Sequence, residues 1–124
     1  MPVHVSVDRN RKIVVSTYSG EVTDADVASQ VSEIRQCAPY GPEYRSITDF
    51  TQVTQFNISS SEIRSIANTH SPLAEARRAM VAPSDVAYGT SRMFQTLASR
   101  TRPNIIVVRT LPEAYEALGI DDGG

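Results

Sequence analysis

Short runs rich in β-branched residues alternate with segments of helical period, and this alternation constrains the fold of the 124-residue chain more than any other feature. Val3, Val5 and Val7 alternate with His4 and Ser6, a period of two that puts three valines on one face of a strand. Asp8-Arg9-Asn10-Arg11 reads as a polar turn with Asn10 suited to positive φ. Residues 12–18 read as a second strand closed by Ser19-Gly20. So short a turn makes the pair antiparallel.

The period then switches. Thr23 caps a helix carrying Val27, Val31, Ile34 and Ala38 on one stripe, with Asp24 and Asp26 at the positive end of its dipole. Residues 44–50 form the third strand. Ser59 and Glu62 have capping-box spacing, and the helix they start bears Ile63, Ile66, Ala67, His70 and Ala74 on or near one face. Residues 77–82 form the fourth strand. Ser84-Asp85 caps a third helix on which Val86, Thr90, Met93, Phe94 and Leu97 share an inward arc. Ile105–Val108 reads as a strand buried on both faces. A last helix turns Leu111, Tyr115 and Leu118 inward and ends at Gly119. The expected fold is α/β: one mixed sheet of about five strands, an N-terminal antiparallel hairpin followed by βαβ units, covered by four helices. Residues 1–120 are expected to form one domain and residues 121–124 a flexible tail.

Composition narrows the function classes. Twelve basic and 14 acidic residues give a net charge of -2, so bulk charge does not point to nucleic acid. No apolar run approaches the roughly 20 residues a membrane-spanning helix needs. The opening strands carry Asp8, Arg9, Arg11 and Lys12 rather than a secretion signal, so a cytoplasmic location is expected. The single cysteine, Cys37, excludes an internal disulfide and a multi-cysteine metal site. His4 and His70 form no metal-binding motif, and the isolated glycines build no phosphate cradle. No metal, no cofactor and no catalysis are expected. Residues 61–109 hold seven arginines against three carboxylates, while residues 110–124 hold four carboxylates and no base. Such a basic segment reads as a solvated face or an anionic-partner surface. Tyr88 and Arg92, one turn apart opposite the inward arc of the third helix, read as an interface anchor.

The stretch Asp49-Phe50-Thr51-Gln52-Val53-Thr54-Gln55-Phe56-Asn57-Ile58-Ser59-Ser60 resembles the central signature of STAS-type domains, the anti-sigma-factor antagonists. Ala79-Met80-Val81-Ala82-Pro83-Ser84-Asp85 with Arg92-Met93-Phe94, and Val107-Val108-Arg109 with Glu113-Ala114 and Leu118-Gly119, resemble the SpoIIAA-like branch of small bacterial proteins described as STAS/SEC14-like. The resemblance implies a SpoIIAA-like mixed sheet that works through protein contacts. It also implies a phosphoacceptor serine at the start of the helix after the third strand, which maps to Ser59 or Ser60. Two departures stand out: Asn57 replaces the usual aspartate, and no glycine follows the serines. The expected function is a non-catalytic bacterial interaction or regulatory module, partnered by another protein or by itself as a homodimer. The alternative, implied by the SEC14-like description, is a carrier of a small apolar ligand or lipid.

Overall fold

The computed structural model describes residues 3–121. The opening hairpin pairs β1 (Val3–Asp8) with β2 (Ile13–Thr23), setting Val3, Val5 and Val7 opposite Tyr18, Ser16 and Val14. The Asp8 carboxylate accepts from the backbone N–H groups of Asn10 and Arg11, both at 3.0 Å. That side-chain turn leaves the left-handed residue to be Lys12 (φ 58°), not Asn10.

The remaining elements are α1 (Asp24–Gln36), β3 (Arg45–Asn57), α2 (Ser60–Ala67), β4 (Arg77–Val81), α3 (Asp85–Leu97), β5 (Ile105–Val108) and α4 (Leu111–Leu118). The sheet runs β1-β2-β3-β4-β5, antiparallel at the hairpin and parallel thereafter. Each parallel step moves the same way across the sheet, so right-handed crossovers send all three connecting helices to one face. Residues of α1, α2 and α3 do gather over Tyr18, Thr48, Phe50 and Met80. The opposite face is left for α4, whose Ala114 and Leu118 pack with Ile120 against Ile13, Ile47, Ala79 and Val81.

Several elements depart from the sequence reading, each for a local reason. β2 does not stop at Ser19-Gly20. Gly20 takes φ 66° at a register shift, and the strand continues through this irregularity to Thr23. β3 likewise runs on to Asn57, paired beyond Asp49 with β2 but not with β4. Its polar outer half (Thr51, Gln52, Thr54 and Gln55 are exposed) hid that continuation. α2 ends at Ala67, so His70 lies beyond it, exposed, rather than on its apolar stripe. β5 is an edge strand, not one buried on both faces, and Ile106 is exposed.

The inward face of α3 is also rotated from expectation. Ala87 and Ser91 are buried, whereas Val86, Met93 and Leu97 point outward. Small residues on the inner face let the helix lie close to the sheet, and that gain outweighs turning the larger side chains in. Of the expected tail, the Asp121 carbonyl accepts from Arg11; residues 122–124 lie outside the described residues.

Candidate functional site

A cleft of about 90 Å³ lies between the sheet and the three crossover helices. Its floor is Thr48, Arg78 and Met80, set side by side by strand register. Ser16, Thr48, Met80 and Val107 form one row across the sheet, and Val14, Ser46, Arg78 and Ile105 form the next. Both rows face α1–α3, and at their centre stand small polar residues and an arginine where a close-packed core would place branched apolar groups. Ser16 and Gln30 satisfy each other, the amide donating to the hydroxyl at 3.0 Å. The walls are apolar: Phe50, Phe56 and Ile58 from the β3 side, Ile63 and Ile66 from α2, and Phe94 from α3.

Two arginines enter this apolar space. Arg78 is 7% exposed and Arg102 4%. Each spends part of its guanidinium on the backbone between α2 and β4. Arg78 Nη2 donates to the Leu73 carbonyl at 3.1 Å, and Arg102 Nη1 donates to the Ile66 and Thr69 carbonyls at 3.0 Å each. Arg35 Nη2 holds the His70 carbonyl from outside at 3.1 Å, so three arginines pin one loop. The carbonyls at the end of α2 carry the negative pole of its dipole, which suits Arg102.

These bonds leave both charges short of compensation. Nε of Arg78, Nε of Arg102 and the Ser91 hydroxyl are buried without a hydrogen-bond partner among the described residues. Neither guanidinium makes a salt bridge among those residues, and the cleft lining contains no carboxylate, histidine or cysteine. Burial, with a smaller push from Arg102, drives the Arg78 pKa down to about 10; it stays charged at neutral pH. Arg102 is lowered too, by burial first and Arg35 second. The face of Phe94 lies 5.6 Å from the Arg102 guanidinium carbon, a modest cation–π contact.

The residues singled out by sequence lie elsewhere; Ser59, Ser60, Tyr88 and Arg92 are all outside the cleft lining. Ser59 is the N-cap of α2, its hydroxyl accepting from the Glu62 N–H at 3.1 Å. The reciprocal half of the capping box is taken over by Asp24, which accepts from the Ser59 N–H and Oγ at 2.8 Å each. This ties the N-termini of α1 and α2 together and sets a carboxylate against the hydroxyl. Ser60 is the exposed first residue of α2. Tyr88 is half-buried beneath Arg109, whose guanidinium carbon is 4.1 Å from the ring centroid while Nη1 bonds Asp85 at 3.1 Å. Arg92 is exposed one turn further along α3.

The expected basic face is likewise dispersed. Arg78 and Arg102 point inward, Arg77 holds the Ala117 carbonyl, and Arg109 covers Tyr88. Arg78 had a readable signal, since the alternation of the fourth strand puts it with Met80 on the face a crossover helix must cover. Arg102, beyond the end of α3, had none.

No protein-family model matches the chain, and no curated protein matches it in sequence. Among solved structures it is similar to an uncharacterized protein of the DUF3478 family from Shewanella loihica PV-4, described as having a SpoIIAA-like fold. The match covers 94% of this chain and 91% of that one, with a TM-score of 0.55 at 13% identity. The fold is therefore SpoIIAA-like.

Proposed function

We propose that this SpoIIAA-like domain is a non-catalytic binding module that holds a small, largely apolar molecule in the cleft between its sheet and α1–α3. The observation that carries this reading is the cleft itself: about 90 Å³ of space walled by aromatic and aliphatic side chains, over a floor of Thr48, Arg78 and Met80. A sheet face bearing Ser16, Ser46, Thr48 and Arg78 is a poor core, and Thr48 and Arg78, where they line the cleft, suit a ligand floor, because pockets combine apolar walls with a few fixed polar groups. Occupancy of this kind suits a regulatory module as well as a carrier, since a bound molecule adds stability to the helix layer that a partner would contact. The Asp24 carboxylate against Ser59 gives no comparable support to control by phosphate there.

Native mass spectrometry of the protein purified from its own cells tests the reading. The expected result is a mass increment retained under native conditions and lost on denaturation, and reduced in Thr90→Phe, which fills the cleft from α3. Identical native and denatured masses, together with no binding of small apolar acids, alcohols or amides in solution, would overturn it.

A further inference from the structure

We infer that the molecule held in the cleft is a small carboxylate, its head group taken by Arg78, Arg102 and Ser91. This rests on the binding reading above and specifies its chemistry. Three residues that line one cleft, each more than nine-tenths buried, carry a donor with no hydrogen-bond partner among the described residues: Nε of Arg78, Nε of Arg102 and Oγ of Ser91. Unpaired buried polar groups are rare in native proteins, and their coincidence in one space calls for a common acceptor. Two guanidinium groups with no salt bridge among the described residues require that acceptor to be an anion.

Donor number selects the kind of anion. Two guanidinium N–H groups and one hydroxyl match the two oxygens of a carboxylate. A phosphate dianion would bring more charge and at least three oxygens into an apolar cleft with too few donors to satisfy them. Size selects the rest of the molecule. An apolar cavity of about 150 Å³ accepts benzene, so about 90 Å³ encloses roughly four carbon atoms. An acid of two or three carbons fits this space; the bulk of a long acyl chain does not.

The test uses propanoate, its neutral isosteres propanamide and propan-1-ol, and inorganic phosphate. Binding is followed by calorimetry and by the side-chain Nε–H resonances of Arg78 and Arg102 in a ¹⁵N correlation spectrum. The expected result is that the carboxylate binds at least about tenfold more tightly than either isostere and shifts both Nε–H signals. Ser91→Ala, which removes a hydroxyl with no partner among the described residues, is expected to weaken the acid severalfold, and an unchanged affinity for the acid would take Ser91 out of the site. Equal binding of acid, amide and alcohol would overturn the anion assignment while leaving the apolar cleft reading in place. Phosphate binding as tightly as the acid would overturn the carboxylate. Failure of all four to bind would remove both readings.

Discussion

Replacing Arg78 by methionine should leave the free protein at least nearly as stable as the wild type, even though it alters one of the most buried side chains. Burial lowers the Arg78 pKa from its ordinary value to about 10. At about 1.4 kcal/mol for each tenfold change in proton affinity, the charge costs on the order of 3 kcal/mol at neutral pH. Against this stands one charged hydrogen bond to the Leu73 carbonyl, worth about 1.5–3 kcal/mol. That carbonyl keeps the Ala76 N–H at 3.1 Å when the arginine is gone. Methionine fills much of the same volume with flexible apolar atoms, and a buried charge replaced by an apolar group of similar size is often neutral or stabilising. The expected Arg78→Met stability therefore lies between that of the wild type and about 2 kcal/mol above it, measured by urea denaturation of ligand-free protein with the slope checked for constancy. Arg78→Ala, which adds a void, should be about 2–4 kcal/mol worse than Arg78→Met. If Arg78→Met is itself more than about 3 kcal/mol below the wild type, the charge is compensated in the free protein and the reasoning fails. Linkage adds a second check. The unfolded chain holds the Arg78 proton to a higher pH than the folded one, so the penalty is full below about pH 10 and relieved as pH rises above it. The stability advantage of Arg78→Met should shrink across that window.

Tyr18 titrates in the opposite sense: burial raises its pKa above the ordinary 10.0, so only the unfolded chain loses the proton just above that pH and stability falls. Urea midpoints of Tyr18→Phe and wild type should run parallel below pH 10 and diverge above it, the wild type losing about 1.4 kcal/mol more per pH unit at first; parallel curves throughout would show that Tyr18 is not protected. Ser59→Asp sets a second carboxylate against Asp24 and should cost about 1 kcal/mol, whereas Ser60→Asp in the first turn of α2 should gain a few tenths, both read by thermal melts at low salt. Equal shifts for the two would remove Asp24 as the discriminating contact. If self-association runs over the exposed side of α3, where Val86 is 64% exposed, Tyr88→Ala should weaken it about tenfold in sedimentation equilibrium. An unchanged association constant removes Tyr88 from that interface.

The element order was legible because each strand is bounded by chemistry that reports itself: Thr23, Ser59, Ser84 and Thr110 all cap helices through their own oxygens. What could not be read is how far a strand runs once its pattern turns polar, as in the outer half of β3, or which face of a helix turns inward when its smallest residues compete with its largest. The Val86, Met93 and Leu97 arc of α3 was persuasive by hydrophobicity alone, yet Ala87 and Ser91 occupy the buried side because close approach to the sheet decides it. The cleft was hidden for a related reason. Arg78 and Arg102 are 24 residues apart in sequence and were counted with a solvent-facing basic segment. Only the placement of three helices on one face of the sheet brings them together.

The long β2–β3 ladder also bears on the order in which the molecule is built. The hairpin is local, and such pairs form in roughly 1–10 μs. Every other strand pairing waits for a crossover to close, and the entropy of closure must be met before any parallel contact rewards it. β2 and β3 share the longest parallel register of the sheet, from Ile13↔Arg45 to Thr23↔Asn57, and so return the most contacts for a single closure. This makes the β2–α1–β3 unit the natural folding nucleus. Substitutions at Val22 or Ile47 should slow folding, and those in the four-residue β5 should mainly speed unfolding.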